Sequence, residues 1–265
     1  HMNSKTLKTV FAASALSLAI GALAAPVAKA PPSADLKYAI TATQKGMSLD
    51  GEANVKWRVE GGQYTLASES RASILGKIQE TRSEGGVDEF GLAPEKFTEK
   101  RFRKDPYSVS FDRDAKLISF TEGKKTFAIR GGEQDRASAP WQLAAMARAT
   151  PAKFVPGSEW RMVVAGRRDT EAWVFKVAKG EKLRTPMGQL DAVHLVREPS
   201  TDGKEQQVDI WLAPAHDWYP VKVRFSDHDG EDVVEQTIAK ITRKYAAFWP
   251  FIVAWRAVSV LVAGA

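Results

Sequence analysis

The densest collection of ligating side chains is His216-Asp217 together with Asp227-His228-Asp229-Gly230-Glu231-Asp232, where imidazole and carboxylate donors suited to a divalent cation are mixed. Asp227, Asp229 and Gly230 imitate the opening of a calcium loop. The imitation fails at its twelfth position, where a bidentate glutamate is needed and Ile238 stands. Asp-Gly between two alternating runs is a hairpin signal in its own right, so no metal ligand is assigned. His194 alternates as a strand residue within 190–196 and is read as structural. The sequence contains no G-x-S-x-G elbow, no H-E-x-x-H, no Walker loop and no G-x-G-x-x-G. Carboxylates are too numerous along the chain for spacing to nominate an acid and base pair. No catalytic residue and no cofactor is therefore expected.

Aromatic side chains are more suggestive. Trp57, Trp141, Trp160, Trp173, Phe175 and Trp211 are spread over candidate strands and one candidate helix, with Trp218 and Tyr219 nearby. Rings of this kind can line an apolar ligand surface for a lipid or sugar; the competing reading is a sheet core that needs large side chains.

The elements that must position them are mostly strands. Residues 52–59 and 63–72 flank Gly61-Gly62, and residues 107–112 and 116–121 flank Arg113-Asp114-Ala115, which predicts two hairpins. Trp160, Met162 and Val164 alternate with Arg161 and Val163, and pair across 166–169 with Trp173, Phe175 and Val177. Val221, Val223 and Phe225 alternate with Lys222, Arg224 and Ser226, then turn at Asp229-Gly230 into 233–241. One segment differs: the alanine-rich run from Ser138 to Arg148 predicts a single helix with Ser138 as N-cap, followed by a connector at 151–157. Its Trp141 stripe is read as covering the sheet, either as core or as a ligand lid. The fold expected is mainly β, a strongly curved antiparallel sheet or partial barrel with one helix packed on it.

Both ends change character. His1 reads as a tag remnant; Lys5 and Lys8 then precede an apolar run from Val10 to Ala24 that is too short to span a bilayer and ends in A-x-A sites. Residues 1–24 are accordingly expected to be tag remnant plus signal peptide, with a periplasmic destination. Residues 245–265 are apolar almost throughout, with Arg256 as their one charged side chain, and three readings stay open for them: a membrane anchor, a docking segment or a non-native extension. Between them, residues 31–244 are expected to form a single β domain.

That body carries 34 basic and 32 acidic side chains, because Lys5, Lys8, Lys29 and Arg256 lie outside it and every acid inside. So balanced a charge lacks a nucleic-acid footprint. The run Lys100-Arg101-Phe102-Arg103-Lys104 is read as a charged strand edge. Cysteine is absent, which excludes disulfides, thiolate chemistry and a lipidated N-terminus.

Five stretches carry a family resemblance: 92–97 (LAPEKF) with 109–112 (VSFD), 134–138 (QDRAS), and 211–214 (WLAP) with 219–223 (YPVKV). In order and spacing the chain resembles the secreted proteobacterial family known as domain of unknown function 3108, over nearly all of 35–243. Arg136 and Ala137 depart from the pattern, standing where a hydrophobic residue is expected. The resemblance implies an exported antiparallel β protein with no assigned activity. It also implies a distant similarity to periplasmic lipoprotein-carrier folds, in which a curved sheet wraps a helix around an apolar cavity.

The leading expectation is a non-enzymatic periplasmic protein that binds an amphiphile or envelope component on the apolar face of the sheet. The expected partners are a lipid or an envelope protein, with membrane contact through 245–265 and no nucleic acid. A scaffolding module that binds another envelope protein, and an enzyme acting on envelope glycan, are the alternatives.

Overall fold

A computed structural model describes residues 28–199, 206–227 and 229–245. The expected leader, His228 and the segment from 246 onward lie outside the described residues. Five long strands open the fold: β1 (Ala34–Gln44), β2 (Met47–Glu60), β3 (Gln63–Ala72), β4 (Gly76–Asp88) and β5 (Gly91–Arg101). Four shorter ones follow, β6 (Tyr107–Asp112), β7 (Leu117–Phe120), β8 (Phe127–Ala128) and β9 (Gln134–Asp135). After helix α1 (Ala139–Ala149) come β10 (Glu159–Ala165), β11 (Thr170–Val177), β12 (Glu181–Thr185), β13 (Gly188–Arg197), β14 (Gln207–Leu212), β15 (Pro220–Ser226) and β16 (Val233–Arg243).

The strands join in the order β8-β7-β6-β5-β4-β3-β2-β1-β16-β15-β14-β13-β11-β10-β9, with β12 attached to β13. The expected curved antiparallel sheet is thus what forms, and it is not closed into a barrel. Its two meanders are united where the first strand meets the last: β1 pairs with β16 from Ala34↔Arg243 to Thr43↔Val233. The expected hairpins are present, and their turns show why. At Gly61-Gly62 both residues have positive φ, 57° and 75°, the twist-matched geometry that joins two strands without splaying them.

Helix α1 sits on the concave side and is enclosed. Ala139, Pro140, Trp141, Gln142, Leu143, Ala144, Ala145 and Ala147 are all buried. Alanine lets the sheet wrap close to the helix axis, and a helix apolar on every side is stable only when surrounded. Trp141 stacks on Trp57, centroids 4.5 Å apart, and meets Tyr219 edge-on at 5.9 Å. Leu143, Ala144 and Ala147 pack the other way, with Phe175, Leu195 and Ile210.

The start of the helix departs from expectation. Ser138 has helical backbone angles and makes no capping bond. Its Oγ instead accepts from the Asp135 N–H at 3.0 Å, while the Asp135 carboxylate accepts from the Ala137 and Ser138 N–H groups at 2.9 and 2.8 Å. Asp135 caps the helix because its acceptor lies three residues upstream, where the orphan N–H groups point.

Two ends of the sheet approach each other without a ladder. β5 pairs with β6 only over Lys96–Glu99, so the backbone of Leu92 and Pro94 needs other partners. Gln142 Oε1 accepts from Leu92 N at 2.8 Å, Gln134 Nε2 donates to Leu92 O at 2.6 Å, and Arg113 Nη2 donates to Pro94 O at 2.6 Å. Farther along this seam Arg167 pairs with Glu122, and its guanidinium lies over the Tyr107 ring at 4.7 Å.

Beside the seam, β5 bulges at Glu95, opposite Glu84 and Gly85 of β4, and a Cβ on Gly85 would fall 2.2 Å from the Ala93 carbonyl oxygen. Gly85→Ala is therefore expected to destabilise the fold by about 2 kcal/mol or more, because backbone must shift on both strands. Gly180→Ala, whose Cβ would meet only ordinary contact at 3.5 Å, is expected to stay within about 0.5 kcal/mol of the wild type. Urea denaturation followed by tryptophan fluorescence compares the two.

Candidate functional site

A cavity of about 480 Å³ lies between the concave wall of the sheet and the N-terminal end of α1. One side is apolar: Tyr38 and Ile40 of β1, Val55 of β2, Leu66 of β3, and Val223 and Phe225 of β15. Another side is polar, with Ser68 and Ser70 of β3, Thr81 of β4, and Glu99 and Arg101 of β5. Arg136, Ala137, Pro140 and Trp141 close it at the helix. Period-two alternation puts these strand residues on one face, and antiparallel register aligns them in rows, as with Val55↔Ser68 and Thr81↔Glu99. The space exists because small side chains occupy positions where a packed sheet would carry large ones.

The charges converge at one pole. Glu99 has a nearly buried side chain and pairs with Arg101. Arg136 Nη2 lies 3.6 Å from Glu171, whose other oxygen accepts from Trp173 Nε1 at 2.9 Å. Burial, reinforced by the Glu99 carboxylate, pushes the Tyr107 hydroxyl up to about 12. Glu171 holds Arg136 at the edge of the cavity as Glu99 holds Arg101, so two ion-paired guanidinium groups stand at this pole. A second depression of about 550 Å³, lined by Asn54, Lys56, Glu80, Arg82 and neighbours, offers charged side chains without an apolar wall.

Below the cavity runs a buried polar chain. The Tyr64 hydroxyl lies 2.8 Å from Ser83 Oγ, which donates to Asp135 Oδ2 at 2.5 Å. This chain ties β3 and β4 to the helix cap. Burial pushes the Asp135 carboxyl up to about 6 despite the bonds it accepts from Ser83, Ser138 and Ala137.

Of the six aromatic residues singled out by sequence, Trp141 lines the cavity. Trp57 lies directly behind it, fully buried, with Nε1 donating to Pro31 O at 2.9 Å. Trp173 and Phe175 meet edge-on at 6.0 Å in the cluster on the other side of α1. Trp160 stacks on Phe154 at 4.1 Å. Trp211 occupies the sheet face opposite Ile210, stacks on His194 at 4.2 Å, and donates Nε1 to Glu181 of β12. His194 also bonds Asp209 at 3.0 Å. At the sequence cluster of potential ligands, Asp217 pairs with Arg148 and Arg243, and Asp227 accepts from Asp232 N within its turn.

Sequence reasoning missed Ser68, Ser70, Thr81, Glu99 and Arg101 as cavity residues. A signal was available in β3, where Leu66 is followed on the same face by Ser68, Ser70 and Ala72, too small to fill a core. Arg136, the departure from the family pattern, marks the polar pole.

The sequence model described as "Protein of unknown function (DUF3108)" matches residues 37–237. No curated protein matches the sequence. Among solved structures, the fold is similar to a β-barrel-like protein of domain of unknown function DUF1849 from Brucella abortus, at 12% identity and TM-score 0.54, covering 82% of this chain and 100% of that one. Weaker similarities are to a domain described as outer membrane lipoprotein-sorting from Vibrio parahaemolyticus (10% identity, TM-score 0.27, 79% of this chain and 85% of that one) and to the Mycobacterium tuberculosis lipoprotein LppX (8% identity, TM-score 0.26, 80% and 88%).

The raised Asp135 carboxyl sets a pH dependence. Its native form holds the proton more tightly than the unfolded chain, so its contribution to stability is full below about pH 4 and is lost as pH rises through about 6. The loss amounts to about 3 kcal/mol for a gap of this size. Asp35, Glu69 and Glu122 are held below the usual carboxylate range and act in the opposite sense, below pH 4. Asp135→Asn is expected to abolish the decline between pH 4 and 6.5, measured as urea midpoints of variant and wild type across that window.

Proposed function

We propose, for a chain that belongs to the DUF3108 family, a non-enzymatic role outside the cytoplasm: binding an amphiphile within the concave cavity, its apolar part against β1, β2 and β15 and its polar head at Arg101 and Arg136. The observation that carries this reading is the two-sided lining, apolar on one wall and charged on the other, in a space of about 480 Å³. A volume of this order suits a small-molecule ligand with an apolar body and a few polar contacts. Export is supported by the leader expected at residues 1–24. Among the described residues, no helix is long and apolar enough to cross a membrane. Of the cavity-lining residues described, Glu99 alone carries a carboxylate, whereas glycoside hydrolysis needs two across a cleft.

Native mass spectrometry after incubation with envelope phospholipids and fatty acids tests the reading, with displacement of a fluorescent fatty acid giving affinity. The wild type is expected to gain the mass of one bound amphiphile. Ser70→Trp and Thr81→Phe fill the cavity and are expected to weaken probe binding by more than about tenfold, about 1.4 kcal/mol, while retaining the native circular dichroism. Arg136→Ala is expected to weaken an anionic amphiphile more than its neutral analogue. A clean apo mass for the wild type, or unchanged binding by both filled variants, would refute the proposal.

A further inference from the structure

Strands β1 to β6 run alternately up and down, so the turns after β1, β3 and β5 lie at one end of the sheet. Adjacent tips there are two strands, or about 10 Å, apart. Each carries a large apolar side chain in solvent: Met47 at 68% exposure beside the first turn, Ile74 at 83% and Leu75 at 53% in the second, and Phe102 at 44% in the third. These tips border the cavity mouth. Leu49, opposite Ala42 on the cavity face, and Ile78, in the cavity wall, continue the apolar surface inward from Met47 and Leu75.

The same tips are basic. Lys45, Lys100, Arg103 and Lys104 are exposed among them, with Arg103 lying over the Phe102 ring at 4.9 Å. Arg71 and Lys77 belong to the second tip and are engaged by Glu69 and Glu80. Asp50 and Asp105 are further acids within this arc. Beside the first tip, the β15–β16 turn is acidic, with Asp227, Asp229, Glu231 and Asp232, and Asp232 accepts from the Lys45 N–H at 3.3 Å. The rim is therefore graded, acidic beside the first tip and basic at the third, where Lys100, Arg103 and Lys104 lie.

We infer that the arc formed by the β1–β2, β3–β4 and β5–β6 tips docks the protein on the surface of an anionic lipid bilayer, with Ile74, Leu75, Met47 and Phe102 entering the interface and the cavity mouth turned toward it. Separate apolar wedges with lysine and arginine between them match a fluid, negatively charged surface, in which each tip can sink independently. A protein partner would be better matched by a contiguous flat patch. The inference rests on the amphiphile reading for its purpose, since it lets cargo pass between bilayer and cavity without crossing water.

Co-sedimentation of the full-length chain with vesicles tests it, using phosphatidylcholine alone or with about one third phosphatidylglycerol. The wild type is expected to bind the anionic vesicles at least about tenfold more tightly than the neutral ones, and less so at high salt. Ile74→Asp/Leu75→Asp, and separately Lys100→Glu/Arg103→Glu/Lys104→Glu, are each expected to lower that binding by about tenfold or more. Lys153→Glu/Lys179→Glu, at the opposite end of the sheet, is expected to leave it unchanged. Any contribution of residues 245–265 is common to all variants. Wild-type binding that both tip variants retain, or no wild-type binding to either vesicle, overturns the docking role. Tips protected from hydrogen exchange by lipid-stripped envelope protein but not by vesicles assign the arc to a protein partner and overturn it equally. Ser70→Trp separates the two readings: it is expected to lose the fluorescent fatty acid yet keep vesicle binding. Vesicle binding through the tips by a wild type that takes up no fatty acid leaves docking standing and removes the amphiphile reading.

Discussion

Helix α1 has eleven residues and the strands that enclose it have up to fourteen. In length that is about 16 Å of helix against as much as about 48 Å of strand. A concave sheet must bury its inner face against something, and here the available object is about a third as long as the wall around it. Where the helix runs, the interior is dense, with Trp141 against Trp57 and Leu143 against Phe175 and Leu195. Beyond the N-terminal end of the helix the same wall continues with nothing opposite. The cavity and its exposed rim are both consequences of this mismatch.

The short helix also has to be held in place without a cysteine anywhere in the chain. Asp135 does much of this, joining the first turn of the helix to Ser83 and, through it, Tyr64. A carboxylate removed from water is costly unless donors surround it, and three N–H or O–H groups converge on this one. Gln142 and Gln134 contribute from the same region, satisfying the Leu92 backbone on the edge of β5 that β6 does not cover.

The hairpins were legible in the sequence because turn residues impose local geometry: Gly61-Gly62 and Asp229-Gly230 specify their turns whatever lies around them. The curved sheet with one helix followed from those turns and from the alanine-rich segment after Arg136. The cavity was hidden by the same reasoning. Periodicity marks large apolar residues, whereas the walls of a cavity are marked by Ser68, Ser70 and Thr81, which read as indifferent positions until register aligns them. Trp211 shows the converse, since aromatic content cannot say which face of the sheet a ring occupies, and the β12 hairpin gives this one a cover on the far side. Ser138 had the right residue type for a cap, but the geometry favoured an acceptor three residues earlier. Arg136 was visible as an anomaly, and only the fold gives it a role at the polar pole.

The seam where β5 meets β9 and the helix gives the molecule an uneven stiffness. Around most of its circumference, prising strands apart means breaking a ladder, as between β1 and β16, where ten residue pairs act together. Along the seam the connections are individual side-chain bonds from Gln134 and Gln142, each contributing about 1 kcal/mol and each able to lengthen or exchange for water singly. The wall thus has one compliant meridian. Girth can change there while the pairing order of every strand, and the side chains aligned by it, stays the same.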